Sequence, residues 1–368
     1  MNRYQLIGQP MDGSRPGILW PLLKTNGVSY TPKHLFRAGY VLTANALMGA
    51  ALNQWEKLNY NRKIEATKLQ TPPVFIIGHW RSGTTLLHNM MAQDERFGYL
   101  CNSQALLPFA TFLKHRSVRQ MVNFHLMPKR PMDDVLLTPE GPQEEEFILA
   151  SMFGEGAYLG WYFPDQFKSY FYRYGLLDGL TPNEKKKFAA HYTYIIKKIA
   201  LANGGKPLVL KNPVNTGRIP MLLEQFPDAR VIYLQRDCAE VYLSTLRLHT
   251  KLIESFGFQK KVPDNLEEMV IEFYRKVIDK YETDKVLIPK EQLFETNYTA
   301  LTQKPIDTLR HIYAHLNLPD FTHAEAAITK YAEDQNRTYR PASYQISNEE
   351  AIKIKQAMTG TTNHYNFA

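Results

Sequence analysis

Three short apolar runs limit what this chain can fold into: "PPVFIIG" (72–78), "KPLVLKN" (206–212) and "ARVIYLQRD" (229–237). The first is rich in β-branched residues, and each is followed by apolar residues at helical spacing, as in "TTLLHNMMAQD" after the first. Continuous apolar runs of this length suit strands buried on both faces of a parallel sheet, with helices as the crossovers. The expected fold class is therefore α/β, a central parallel sheet flanked by helices. The stretches at about 100–200 and 250–285 read as helical or irregular insertions, rich in aromatic residues.

With 368 residues, 44% of them apolar and 22% charged, the chain is long enough for one large core. A single domain over 1–368 is expected, with an N-terminal helical extension over about 1–70. Lys and Arg number 44 against 36 Asp and Glu, a net charge of +8. That balance favours an anionic ligand or an anionic surface. Cys101 and Cys238 are too few for a disulfide framework. The first 17 residues contain no continuous apolar stretch, so a cytoplasmic location is expected. Residues 38–55 form an uncharged stretch of 18 residues. Thr43, Asn45, Asn53 and Gln54 interrupt it, which favours a buried or interfacial helix with a membrane contact over a true span.

The segment "GHWRSGTTLLH" (78–88) follows the first strand run directly. Gly78 and Gly83 have four residues between them, the spacing of a loop whose backbone amides converge on a phosphate. A helix beginning near Thr84 adds its unpaired first amides and its positive dipole end. A nucleotide-hydrolysing loop would continue with Lys and then Ser or Thr. Here Thr84 and Thr85 follow Gly83, and the cation is Arg81, inside the loop. Without that lysine a nucleotide ending in a group other than a γ-phosphate is the better ligand. A second cluster, "VIYLQRDCAEVYLSTLRLHT" (231–250), has Arg236 at a strand end and Ser244 about two turns into the next helix. Both can face a ligand beyond the carboxyl ends of the strands. Arg236 would offer a planar fork and Ser244 a hydroxyl to a second phosphate.

Taken together the two segments resemble the superfamily of sulfotransferases that use 3′-phosphoadenosine-5′-phosphosulfate (PAPS), in its bacterial branch. The resemblance rests on "FIIGHWRSGTTLL" and "VIYLQRDCAEVYLS", and it covers residues 72–250 well and the C-terminal part weakly. It implies that Arg81, Ser82, Gly83, Thr84, Thr85 and Leu86 bind the 5′-phosphosulfate and that Arg236 and Ser244 bind the 3′-phosphate. It further implies PAPS as sulfate donor, the bisphosphate PAP as product, and no metal. Arg81 stands where many cytosolic members have lysine, so the charge is kept but a proton-lending group is not. Arg337 and Arg340, in "DQNRTYRPASY" (334–344), occupy the region that commonly closes over the nucleotide. Relatives often have Tyr-Glu where this chain has Tyr298-Thr299, so any role of that glutamate is absent.

Sulfate transfer needs a base for the acceptor hydroxyl. Glu144, Glu145 and Glu146, in "TPEGPQEEEFILASMF" (138–153), precede an apolar helical run, and helical phase does not single one out. They resemble a Gln-Glu-Asp-Glu-Phe segment of bacterial relatives in which a glutamate is the base; acidic residues at a helix start also answer its dipole. His79 and His88 flank the loop and compete for the role. Lys211, closing the second strand run, is a further cation for the transferring group. Residues 152–174 contain ten aromatics in 23 positions, which would wall an apolar pocket or pack a core. The expected acceptor is a small apolar alcohol, a steroid or sterol, phenol or lipid alcohol, and no nucleic-acid partner is expected. A nucleotide kinase or NTPase and a non-catalytic lipid-binding protein are the rival readings.

Overall fold

The computed structural model describes residues 10–113, 116–133, 135–338 and 347–359. The chain divides into two compact units, each assembled from separated stretches. One comprises residues 72–97, 209–249 and 264 onward and holds the sheet; the other comprises the residues before 72, 98–208 and 250–263.

The sheet has four parallel strands: β1 (Val74–Ile77), β2 (Val209–Lys211), β3 (Arg230–Gln235) and β4 (Leu293–Asn297), in the spatial order β2-β1-β3-β4. The expected α/β class with a central parallel sheet is what the structure has. All four residues of β1 are fully buried, as continuous apolar runs in a two-faced sheet require. Val74 pairs with Val209 on one side and Arg230 on the other. The chain therefore leaves β1 for one flank of the sheet and returns on the other. In open α/β sheets the carboxyl ends of the strands at such a reversal are the usual ligand position. The sequence reading contains no counterpart of β4. Its residues, Leu293 to Asn297, are half-buried at the sheet edge except for the exposed Glu295, and the last three are polar, which leaves only a weak apolar signal.

The other unit is helical. Proline opens the helices Pro16–Asn26, Pro32–Ala44 and Pro182–Ala202, where its fixed φ fits and its missing N–H is not needed. The Pro182–Ala202 helix has a full capping box: the Glu184 N–H donates to Thr181 Oγ1 at 3.3 Å, and the Thr181 N–H donates to Glu184 Oε2 at 2.8 Å. The helix from Pro32 runs on through a π-turn (Asn45–Gly49) into Ala50–Ala66. Its 35 residues are long and apolar enough to cross a membrane, and a third of the apolar window is buried inside the protein. Its buried Glu56 pairs with the buried Lys198, which also donates to the Pro108 carbonyl. Burial raises the Glu56 pKa and lowers that of Lys198, and their attraction opposes both shifts.

The aromatic stretch 152–174 mostly packs this unit's core. Tyr158, Trp161, Tyr162, Phe163, Phe167 and Phe171 are all at most 4% exposed. Tyr158 stacks on Trp161 with centroids 3.9 Å apart, and Phe163 lies 5.6 Å from Phe258. A cavity in this unit lies elsewhere, with a volume of about 610 Å³, lined by Cys101, Gln104, Leu113, Val118, Val122 and Glu140 among others.

Candidate active site

The sheet unit gathers most of the expected site residues at one place. The loop after β1 needs an unusual backbone: Gly78, Arg81 and Gly83 have φ of 144°, 71° and 99°. Glycine is required at the first and last of these. A Cβ on Gly78 would collide with the Leu234 carbonyl oxygen of β3, and one on Gly83 with the Tyr298 ring. Thr216 fixes the loop's start, its hydroxyl accepting from the Gly78 N–H at 2.9 Å and donating to the Gly78 carbonyl at 3.0 Å. Gly83 then caps the helix Thr84–Met91. The first amides of such a helix lack intrahelical partners and carry the positive end of its dipole. Thr84 is buried, while Thr85 and Leu86 in the same first turn are half-buried.

Arg81, strained into positive φ, aims its guanidinium at the second motif: Nε donates to Ser244 Oγ at 2.7 Å. Arg236 donates from Nη1 to the Arg81 carbonyl at 3.3 Å, so all three motif residues share one hydrogen-bonded network. The rest of the Arg236 fork reaches Glu240 Oε2, at 2.7 Å from Nε and 2.6 Å from Nη2. Its guanidinium carbon sits 4.1 Å from the centroid of the Tyr298 ring, a cation–π arrangement. Ser82 Oγ is buried and has no hydrogen-bond partner, a donor held without an acceptor.

The two loop histidines are enclosed. His79 Nδ1 lies 2.9 Å from the Trp80 carbonyl, its ring stands edge-on to Tyr274, and burial pushes its pKa down to about 4. His88 Nε2 lies 3.2 Å from the Val209 carbonyl of β2. Burial, then the charge of Lys211, pushes its pKa down to about 3. Both rings are neutral at physiological pH. Lys211 itself is buried at the carboxyl end of β2.

The three glutamates belong to the helical unit and differ sharply in setting. Glu146 is buried and accepts from the Ala157 N–H at 2.6 Å. Glu145 is buried beside the Tyr192 hydroxyl at 3.0 Å, its Oε2 has no partner, and burial pushes its pKa up to about 7. Glu144 keeps partial exposure and accepts a hydrogen bond from the Tyr158 hydroxyl. Arg340 lies outside the described residues, and Arg337 is exposed near Glu333 at the end of the helix Thr322–Thr338. Among the described residues no cluster of His, Cys, Asp and Glu has the makings of a metal site.

Sequence reasoning missed Thr216, Tyr298 and Glu240. Thr216 carries no signal in the sequence, because its contact is 138 residues away, whereas Glu240 stands four residues after Arg236, a helical ion-pair spacing that could have been read. Tyr298 was within reach: it stands beside the Thr299 that replaces an expected glutamate, yet its own part is to wall Gly83 and support Arg236.

A model of the sulfotransferase family matches residues 72–323. The chain is 30% identical over 311 residues to the omega-hydroxy-beta-dihydromenaquinone-9 sulfotransferase Stf3 of Mycobacterium bovis, covering 84% of this chain and 79% of that protein. Two solved structures share the fold. Sulfotransferase STF9 of Mycobacterium avium has a TM-score of 0.69 at 17% identity, over 95% of this chain and 97% of that one. Sulfotransferase STF1 of Mycobacterium tuberculosis has a TM-score of 0.63 at 18% identity, over 94% and 90%. A glycine-bounded loop, tied through Arg81 to Ser244 and Arg236, and a family match over residues 72–323 agree: the chain belongs to the sulfotransferase family and is an enzyme that transfers sulfate.

Proposed function

We propose that the donor is PAPS and that the acceptor is the hydroxyl of a lipid alcohol. The observation that carries the donor reading is the network joining Arg81, Ser244 and Arg236. Two arginine forks and two hydroxyls, with helix amides beside them, suit a ligand with anionic groups at both ends of one nucleoside. Ser82 Oγ, buried without a partner, fits a phosphosulfate oxygen that the loop amides would also face. Arg236 would exchange the Glu240 carboxylate for the 3′-phosphate, an anion of higher charge. PAPS supplies the sulfonate group; the protein's share is to hold the nucleotide and neutralise the charge that grows on its leaving end. Arg81 and Lys211 are the cations we assign to that task.

We assign proton removal to Glu144. Of the three glutamates it retains exposure, and the Tyr158 hydroxyl donates a hydrogen bond to it that fixes the carboxylate in place. Glu145 is drawn toward its neutral form by burial, and Glu146 is spent on the Ala157 amide. Neutral, enclosed His79 and His88 make weak bases, and we assign them to packing around the loop. The lipid acceptor is supported by the name of the M. bovis relative, an omega-hydroxy dihydromenaquinone sulfotransferase. It is also supported by the 610 Å³ cavity in the helical unit, where Leu113, Val118 and Val122 offer an apolar chain a wall.

Thermal unfolding with added nucleotide tests the donor site. PAP should raise the unfolding temperature without added metal, by a stabilisation of about 2.7 kcal/mol at one hundred times its dissociation constant. Stabilisation by ATP with magnesium but not by PAP would return the loop to nucleotide hydrolysis.

A further inference from the structure

The helical unit carries an exposed apolar face. Along the helix from Pro32 to Ala66, Phe36, Thr43, Leu47, Gln54 and Leu58 are exposed at intervals of seven and four residues, a single stripe. Phe36 is 55% exposed, Leu47 73% and Leu58 75%. A second helix, Arg116–His125, extends the face with Phe124, which is 48% exposed. The two helices are tied together there. The Tyr40 hydroxyl meets His125 Nε2 at 2.6 Å, Phe36 stacks toward Tyr40 at 6.4 Å, and Phe124 stands edge-on to His125.

Charge says what covers this face. From 38 to 55 no charged residue occurs. Beside and beyond the end of the stripe come Lys57, Arg62 and Lys63, all exposed, and Arg116 is exposed at the start of the second helix, whose sequence has no carboxylate. The acidic residues of the long helix are Glu56, buried against Lys198, and Glu65. An apolar stripe with a basic rim is the pattern of a helix lying in the plane of an anionic bilayer. A second copy of the chain would set the same cations against each other across a twofold interface. A true span would have to strip the helix from its own unit. Its opposite side is held by the Glu56–Lys198 pair and by the buried Arg37, which donates to the Gly257 carbonyl.

We propose that the face formed by the helices Pro32–Ala66 and Arg116–His125 seats the protein on an anionic lipid surface. Leu47 and the two phenylalanines enter the interfacial layer, and Lys57, Arg62 and Lys63 contact the headgroups. The inference needs neither PAPS nor a particular acceptor, because all its residues lie in the helical unit. It does deliver the enzyme to the phase in which a lipid alcohol resides.

Co-sedimentation of the full chain with vesicles tests it. Vesicles of phosphatidylcholine with phosphatidylglycerol should carry the protein down, phosphatidylcholine alone should do so weakly, and high salt should release it. The double variant Phe36→Glu/Leu47→Glu should lower partitioning at least about tenfold, and Lys57→Glu/Arg62→Glu/Lys63→Glu should abolish the preference for the anionic lipid. Circular dichroism and PAP binding by the same variants monitor the fold; if the glutamate pair does not fold, Leu47→Ser reads the same loss in smaller measure. Equal sedimentation by both lipids, or by wild type and variants, would overturn the proposal. So would release by detergent but not by salt, the behaviour of a span, or a dimer that Leu47→Glu breaks in protein that ignores vesicles.

Discussion

The two units of this chain encode their chemistry in different ways. In the sheet unit the anion site we propose is a matter of backbone: Gly78 and Gly83 allow a loop in which a Cβ would collide with Leu234 or Tyr298, and Arg81, Ser244 and Arg236 are linked by hydrogen bonds beside it. In the helical unit the chemistry lies in side chains whose meaning is set by their surroundings. Glu144, Glu145 and Glu146 are adjacent and chemically identical, and the structure gives them three settings: half-exposed beside a hydroxyl, buried near neutrality, and bonded to a backbone amide. Geometry made by glycine can be recognised in a sequence. Burial cannot.

Each side of the contrast can be broken by substitution. The largest effect is expected at the base. Glu144→Gln should lower kcat about 10²- to 10⁴-fold while PAP affinity stays the same, read by steady-state turnover and calorimetric titration. Loss of the same size in Glu146→Gln with full activity in Glu144→Gln would move the base by two residues. Next in size is the buried ion pair. Glu56→Ala strands the Lys198 ammonium and should cost about 3–5 kcal/mol of stability in denaturant unfolding.

Glu145 gives a pH signature. Its folded pKa of about 7 lies above the ordinary value of 4.5, so the stabilisation by its protonated form is complete below about pH 4.5 and is lost as pH rises through 7. The wild type should lose roughly 3 kcal/mol relative to Glu145→Gln between pH 4.5 and 8, since each pKa unit is worth about 1.4 kcal/mol. Parallel stability curves for the two proteins would mean that Glu145 is not buried as described. In the other unit, Arg81→Ala and Arg236→Ala should each weaken PAP by about 1.5–3 kcal/mol, the range of charge-assisted hydrogen bonds. Smallest is Ser82→Ala. With no partner to lose, it should leave stability unchanged and still weaken PAP by about 0.5–1.5 kcal/mol.

How much could be read beforehand follows the same division. The strands β1, β2 and β3 announce themselves as apolar runs because both of their faces are covered, while β4, half-buried at the edge, does not. The loop and its partner helix are legible because Gly-x4-Gly and the eight-residue interval from Arg236 to Ser244 are local spacings. Thr216 reaches Gly78 across 138 residues, and no spacing encodes that. The aromatic stretch 152–174 stays open in the sequence for a related reason: composition fits a pocket wall and a core equally well, and only burial distinguishes them. The stripe on the long helix is half visible. Residues 38–55 stand out as uncharged, but which side faces water, and that Phe124 joins it, depends on the packing of two helices.

The most direct test is mass spectrometry of products after incubating the full chain with PAPS and a mixed panel of polyprenyl and other lipid alcohols, sterols, phenols and sugars. A lipid alcohol heavier by one sulfonate group, with PAP formed in equal amount, is the predicted result. Sulfated sugars alone, or no PAP released with any acceptor, would contradict it.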